Sequence, residues 1–407
     1  MSGCSKLWDS NHSNRMPSDS SSVFLRELES GLRSLEARNQ RRSLAQLNGV
    51  NFCSNDYLGL AENAALKEAV LAAVSESPRV GATGSRLLSG NSPLWEDLEH
   101  EFAQFAGTES ALYFSSGYAA NVGLLTSLLG KDDLVFSDRL NHASIIDGIR
   151  LSGARKVIYP HLDMNALERE LLHRANDRGK KIIVSETVFS MDGDVAPLGE
   201  LAELADRHGA GLIVDEAHAT AVRGPQGRGI NAEYEPARSQ VAIVHTCGKA
   251  LASAGAFVCG SAVLKEHLIN HARTFIFSTA MPPYMAGQIR AALRLAMKMN
   301  EQRAELKLRA ERFSSALREQ GWDTRSSSTQ ILPVVIGGNE ETIAAAEFLQ
   351  REGFAVRAIR PPTVPQGQAR LRLSLTCSIA EQDLARLTNT LNAWREQSCR
   401  PAAAWHA

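Results

Sequence analysis

The sequence predicts an α/β protein: a mainly parallel seven-stranded sheet covered by helices, followed by a smaller C-terminal α+β domain. Three observations carry that expectation. Between residues 107 and 260, short apolar runs alternate with helical stretches of about ten residues, the spacing of βαβ units. The runs are apolar on both faces, as strands of a parallel sheet buried from two sides must be. Beyond residue 290 a long polar helical run interrupts the alternation, and a second, shorter set of elements follows.

Taken in order, residues 1–20 are rich in Ser, Asn and Pro and read as a disordered tail. Phe24, Leu25, Leu28, Leu32 and Leu35 recur every three to four residues, which predicts a helix from Val23 to about Leu47. Val50–Ser54 reads as a short strand, and Asn55-Asp56 opens a turn. Arg79–Pro93, with Gly81, Gly84 and Gly90 among Ser and Thr, is a loop. Leu94–Ala106 is an amphipathic helix with its acidic residues on the wet face. Strands are expected at Ala111–Phe114, Asp133–Ser137, Lys156–Tyr159, Lys181–Glu186, Gly211–Asp215, Val241–Thr246 and Phe257–Gly260. Helices fall between them at Tyr118–Leu129, Ala143–Ser152, Met164–Arg174 and Leu198–His208. Arg290–Gln320 reads as one long connecting helix. It leads to strands at Gln330–Ile336, Ala355–Ile359 and Ala369–Leu375 and helices at Glu341–Glu352 and Glu381–Arg395. The chain thus divides into an N-terminal segment (21–60), a large domain (61–290), a C-terminal domain (291–395) and a tail (396–407).

Composition narrows the function classes. With 407 residues, 44% of them hydrophobic, the chain is neither a small stapled domain nor a disordered polymer. Lys+Arg number 44 against 45 for Asp+Glu, which argues against a polybasic nucleic-acid binder. No apolar run reaches the length of about eighteen residues that a membrane span needs, and no signal peptide is legible. Cys4, Cys53, Cys247, Cys259, Cys377 and Cys399 form no zinc-like cluster, so no metal is expected and the thiols read as free in a reducing compartment, the cytoplasm.

Chemistry is expected where apolar strands end, because open α/β sheets bind ligands beyond the carboxyl ends of their strands. Leu212-Ile213-Val214-Asp215-Glu216-Ala217-His218 places a carboxylate and an imidazole there, although an Asp in this position also serves as a helix cap. Val244-His245-Thr246-Cys247-Gly248-Lys249 ends in a lysine that, brought against a buried site, suits Schiff-base chemistry; alone it reads as a surface lysine. Phe114-Ser115-Ser116-Gly117-Tyr118 turns a strand into a helix start whose N–H groups would seat a phosphate, or merely cap the helix. Together these elements suggest pyridoxal 5′-phosphate. That cofactor asks for an aldehyde partner (Lys249), an anion at the pyridine nitrogen (Asp215), a phosphate seat (Ser116, Gly117, Tyr118) and a flat group over the ring (His142). Thr246 and His218 would bond the phosphate and the 3′-oxygen, with Ser190 a further polar contact. Arg360, beside Pro361-Pro362, suits a bidentate grip on an amino-acid carboxylate, or is an edge-loop arginine. Arg370 and Arg372 share one strand face and read as candidates for interdomain ion pairs.

Several motifs in order and spacing carry a resemblance: Ser54-Asn55-Asp56-Tyr57-Leu58-Gly59, Gly84-Ser85-Arg86-Leu87, Ser116-Gly117-Tyr118-Ala119-Ala120-Asn121, Asp138-Arg139-Leu140-Asn141-His142-Ala143-Ser144, Glu186-Thr187-Val188-Phe189-Ser190-Met191-Asp192-Gly193, Val214-Asp215-Glu216-Ala217-His218, Thr246-Cys247-Gly248-Lys249 and Ser278-Thr279-Ala280-Met281. From about Leu35 to Trp394 the chain resembles the α-oxoamine synthases, pyridoxal-phosphate enzymes of fold type I with an aspartate-aminotransferase-like fold. The resemblance implies Lys249, His142, Asp215 and His218 as catalytic residues. It implies a homodimer with active sites at the interface, to which Ser278 and Thr279 of a neighbouring chain would bring a phosphate contact. Ile359-Arg360-Pro361-Pro362-Thr363 looks like the branch that joins L-alanine to a pimeloyl thioester, with Arg360, Thr363, Asn55 and Arg33 on the substrate side. Coenzyme A, met by Arg33, Arg38, Arg41 or Arg42, or an acyl carrier protein, which asks for a wider basic patch, would carry the acyl group; these arginines equally read as a solvated helix face. A sister synthase using glycine or serine, and a non-catalytic scaffold, are the alternatives. The run Ala250–Ala256 departs from the usual glycine-rich sequence, a change that either narrows the acyl channel or is accommodated.

Overall fold

The computed structural model describes residues 22–46, 48–234 and 237–398. Residues 1–20 and most of 396–407 lie outside the described residues. A two-residue strand β1 (Val50–Asn51) precedes the central sheet. That sheet contains β2 (Ser110–Phe114), β3 (Leu134–Asp138), β4 (Arg155–Tyr159), β5 (Lys181–Glu186), β6 (Gly211–Asp215), β7 (Gln240–Thr246) and β8 (Ala256–Gly260). Their spatial order is β2-β8-β7-β6-β5-β3-β4. β8 alone runs antiparallel to its neighbours β7 and β2, and the other pairings are parallel.

The period of two along each strand divides the core. Leu112, Phe114, Val135, Val184, Ile213 and Val244 pack into one apolar cluster with the helices Gly117–Leu128 and Ala143–Ser152. Tyr113, Phe136, Ile183, Leu212, Val214 and Phe257 face a second cluster on the opposite side. Both faces are therefore dry, and the carboxyl ends of β3, β5, β6 and β7 become the place where polar side chains collect.

The C-terminal domain is built on β9 (Ile331–Gly337), β11 (Ala358–Ile359) and β12 (Ala369–Ser374), an antiparallel sheet of order β11-β12-β9. β10 (Phe354–Ala355) pairs in parallel with β1, which ties the N-terminal segment to this domain.

The structure differs from the sequence expectation in several places: the expected strand Val50–Ser54 keeps only Val50–Asn51, the helices Ala64–Glu76 and Ala262–His271 were not expected, and there are four further differences. The first helix spans Val23–Ala37 and stops well before Leu47. The expected single helix over 290–320 is two, Tyr284–Lys298 and Asn300–Glu319. At the junction the buried Arg303 guanidinium donates to the carbonyls of Ala296, at 2.5 Å, and Ala221, at 3.4 Å, so a tertiary contact ends the first helix where no Gly or Pro stands. The expected strand Ala355–Ile359 is split into β10 and β11, which join different sheets. In the helix Pro93–Ala106, Glu99 is not on the wet face: it is 1% exposed and meets Arg86 and Lys265, each at 2.9 Å.

Candidate active site

One cavity of about 360 Å³ opens at the strand ends, lined by Ser116, Gly117, Asn121, His142, Glu186, Asp215, His218, Thr246 and Lys249 among others. Lys249 follows β7, and Asp215 closes β6 in the adjacent position. The two groups that the sequence reading set at opposite ends of one ring therefore share a wall.

Each side chain is held by local chemistry. The Asp215 carboxylate accepts from the Asn121 amide at 2.7 Å and the Ala217 N–H at 2.8 Å, which fixes both its oxygens. Burial lowers the pKa of the Lys249 amine, and Asp215 and Glu186 partly restore it. His142 caps the helix Ala143–Ser152, its Nδ1 accepting from the Ser144 N–H at 3.2 Å. Burial lowers its pKa, so the ring is neutral at physiological pH. His218 is 4% exposed, and its Nδ1 lies 2.7 Å from the Tyr57 hydroxyl. Burial, then the charges of Lys249 and Arg372, push its pKa well below the usual histidine value. Glu186 is 2% exposed and its Oε1 has no hydrogen-bond partner among the described residues. Burial, with Asp215 beside it, raises its pKa well above the ordinary carboxylate value.

The phosphate end is a helix start. Ser116 caps the helix Gly117–Leu128 by accepting from the Ala119 N–H at 3.0 Å. A Cβ on Gly117 would lie 2.7 Å from the Thr246 methyl carbon, so only glycine lets this turn approach β7. The first N–H groups of a helix have no intrahelical partner and are free to meet an anion. Tyr118 joins this wall while its hydroxyl donates outward to Asp147.

Other expected site residues lie elsewhere. Arg33 is exposed, 3.8 Å from Glu29 on its own helix. Arg360 donates to the carbonyls of Asn39 and Arg41 at 2.5 and 3.4 Å, and Thr363 accepts from Arg42 at 3.1 Å, outside the cavity. The Ser190 carbonyl accepts from Arg372 at 2.5 Å. Ser278 and Thr279 line a separate crevice with Arg86 and Trp95. Asn55 accepts from Tyr57 at 3.0 Å and from Arg372 at 3.1 Å, in the layer behind His218.

Two residues that the sequence reading did not place in the site, Asn121 and Glu186, line the cavity, and a third, Arg372, stands behind it. Asn121 stands four residues beyond Gly117, on the same helix face. Glu186 is the last residue of β5, a strand end like the others. Arg372 alternates with Leu371 and Leu373 in a buried strand, and a buried arginine needs an acceptor. Its neighbour Arg370 pairs with Asp192 at 2.5 Å, whereas Arg372, 8% exposed, bonds to the oxygens of Ser190, Asn55 and Ser374 and, among the described residues, pairs with no carboxylate.

This donor set fits pyridoxal phosphate: a buried lysine whose pKa is lowered, a buried carboxylate, an anion-ready helix start and an imidazole share one cavity with a buried carboxyl oxygen that has no partner among the described residues. Residues 48–391 match the family described as aminotransferase class I and II. An 8-amino-7-oxononanoate synthase from Azoarcus sp. (strain BH72) is 48% identical over 341 residues, covering 84% of this chain and 87% of that protein. A serine palmitoyltransferase from S. paucimobilis, solved with bound pyridoxal phosphate and myriocin, superposes with a TM-score of 0.84 at 26% identity, covering 93% of this chain and 99% of that one. An 8-amino-7-oxononanoate synthase from Francisella tularensis superposes with a TM-score of 0.75 at 29% identity, covering 86% of this chain and 98% of that one. Matched over most of its length by sequence and by fold, this chain belongs to the aminotransferase class I and II family, in its α-oxoamine synthase branch, and is a pyridoxal-phosphate enzyme.

Proposed function

We propose that this enzyme condenses L-alanine with a pimeloyl thioester to give 8-amino-7-oxononanoate, carbon dioxide and the free thiol, in biotin biosynthesis. The observation that carries the reading is the placement of Lys249, Asp215, His142 and His218 around one cavity, with the unpaired charge of Arg372 behind it. The close identity to 8-amino-7-oxononanoate synthases supports the choice of substrates.

When bound, pyridoxal phosphate supplies an electron sink for negative charge at the α-carbon of the amino acid. Lys249 would anchor the cofactor, and its amine, whose pKa burial lowers, would take the α-proton of the amino acid. Asp215, fixed by Asn121 and Ala217, would hold a proton on the pyridine nitrogen of the bound cofactor. His218, held by the Tyr57 hydroxyl at Nδ1, would present its Nε2 to the 3′-oxygen of the cofactor. His142 would cover the ring face, and helix N–H groups at Gly117 and Tyr118, with Thr246, would take the phosphate. Arg372 binds the alanine carboxylate, and Arg360 fastens the N-terminal segment to the C-terminal domain. Arg42, Arg357 and Arg360 crowd together on that seam, and burial with mutual repulsion lowers the pKa of Arg360. Such a cluster suits the phosphates of a coenzyme A or acyl-carrier-protein thioester.

The enzyme works as a homodimer in the cytoplasm. The thiols of Cys53, Cys247, Cys259 and Cys377 are unpaired, which suits a reducing compartment. The better superposition on serine palmitoyltransferase favours a second reading, serine in place of alanine. Incubation of the purified protein with alanine, serine or glycine and pimeloyl-CoA, followed by product mass, decides between them. Alanine-dependent release of carbon dioxide and the oxononanoate mass is expected. Serine turnover with no alanine product would sink the reading.

A further inference from the structure

We propose that His161 is a positioning residue, which sets the His142 loop against the Arg372 anchor by bridging Asp138 and Asp194. The proposal rests on the reading of Arg372 as the binder of the amino-acid carboxylate. His161 begins the turn after β4 and belongs to neither the cavity wall nor the roles above. Its Nδ1 lies 2.8 Å from Asp138 Oδ1, and its Nε2 lies 2.8 Å from Asp194 Oδ2.

The two carboxylates stand on different parts of the site. Asp138 ends β3 and accepts from the N–H groups of Leu140 at 2.8 Å and Leu162 at 2.9 Å, at the base of the loop that carries His142. Within that loop, Asn141 donates to the Val184 carbonyl at 2.8 Å and accepts from the Glu186 N–H at 3.0 Å. Asp194 closes the hairpin bridged at Val188 and Val195. The same hairpin offers its Ser190 carbonyl to Arg372 and its Asp192 carboxylate to Arg370, each at 2.5 Å. On its far side, Gly193 accepts from Thr329 at 2.8 Å and Asp194 from Ser326 at 3.2 Å. His161 is thus the polar joint between the wall over the ring and the arm that aims Arg372.

A ring nitrogen bonds a carboxylate only when it carries hydrogen, so both bonds at once require the imidazolium. Asp138 from the β3 end and Asp194 from the hairpin are the charged groups facing it. The remaining contacts are uncharged: the Phe189 ring, edge-on at 4.5 Å, and Ser326 behind Asp194. Burial pulls the pKa of His161 down, and the two carboxylates more than reverse this, to about 9. Deprotonation would leave one carboxylate facing a lone pair and release one arm of the joint.

The test uses the holoenzyme of wild type, His161→Asn and Asp194→Asn. The amino-acid dissociation constant is read from the change in cofactor absorbance, and KM and kcat are followed between about pH 6 and 10. Both variants are expected to bind alanine about tenfold more weakly near neutral pH, with a smaller change in kcat. Wild-type affinity should fall toward the variant value above about pH 9, and the His161→Asn profile should lack that limb. A lowered Tm with unchanged affinity and an unchanged alkaline limb would reduce His161 to a structural contact and overturn the proposal. Should His161→Asn fail to fold, ring-nitrogen NMR of the wild type decides: an imidazolium protonated on both nitrogens at neutral pH is expected, and a neutral ring overturns the joint. Amino-acid binding needs no thioester, so failure of pimeloyl condensation would strike the proposed reaction alone. Undiminished alanine binding by Arg372→Ala would strike the reading of Arg372 instead.

Discussion

Arg360 and Arg372 stand twelve positions apart in the sequence and are opposite in setting, and the difference is one of burial. Arg360 spends its donors on the carbonyls of Asn39 and Arg41 at a half-exposed seam. Arg372 is buried, acts on Lys249 and His218 through its charge, and pairs with no described carboxylate. A charge-assisted bond to a buried partner contributes about 1.5–3 kcal/mol, against about 1 kcal/mol or less at the surface. Arg372→Ala should therefore raise the alanine KM by about a hundredfold, and Arg360→Ala by less than about threefold. Steady-state kinetics with alanine varied at fixed thioester checks both, and a reversed order would return the carboxylate to Arg360. Asn121 gives the second case. It supplies one of the two bonds that hold Asp215, so Asn121→Leu should weaken cofactor retention and lower kcat by about tenfold, read by equilibrium dialysis and turnover. Lys249, Asp215, His142 and His218 were legible because each follows an apolar run at a strand end. Arg372 was hidden by its setting, an arginine between leucines that strand alternation alone cannot distinguish from an ion-pair partner.

Elements bounded by their own sequence were the legible ones. Ala143–Ser152 and Leu198–His208 end at Gly153 and Gly209, whose left-handed φ angles of 75° and 61° terminate a helix at little cost. Elements bounded by a distant side chain were not. The break at Met299 depends on Arg303 reaching Ala296 and Ala221, and the division of β10 from β11 depends on β1 taking one half. The helix Pro93–Ala106 shows the same limit in its charge pattern. Helical periodicity marks which face is apolar, yet Glu99 goes inside because Arg86 and Lys265 flank it and the Tyr113 N–H donates to it at 3.0 Å. Removing one member of a buried ion pair leaves the others uncompensated, at a cost of about 3–5 kcal/mol. Glu99→Ala should lose about that much stability in urea unfolding of the holoenzyme, while surface Glu29→Ala, on an exposed i,i+4 pair, should lose less than about 0.5 kcal/mol. Equal losses would mean that Glu99 is not the centre of that cluster.

At the scale of the whole molecule, the single chain leaves two surfaces that its own fold does not use. The helix Val23–Ala37 has no buried residue, and Phe24, Leu25, Leu28 and Leu32 form an exposed apolar stripe. Ser278 and Thr279, which the family pattern links to the phosphate, line a crevice apart from the Lys249 cavity of the same chain. A homodimer would cover the first and carry the second to a neighbour's cavity, and this makes a sharper demand than dimer mass alone. Sedimentation equilibrium should give twice the 44.2 kDa chain mass. Beyond that, a Lys249→Ala chain lacks the reacting amine but keeps an intact crevice, whereas a Thr279→Tyr chain keeps the amine and presents a blocked crevice. Each alone should be inactive or nearly so. Co-refolded, mixed dimers would contain one cavity with Lys249 served by an unblocked crevice, and turnover should return in part. Mixed dimers that form and stay inactive would confine each site to one chain, and Ser278 and Thr279 would then have no part in holding the cofactor.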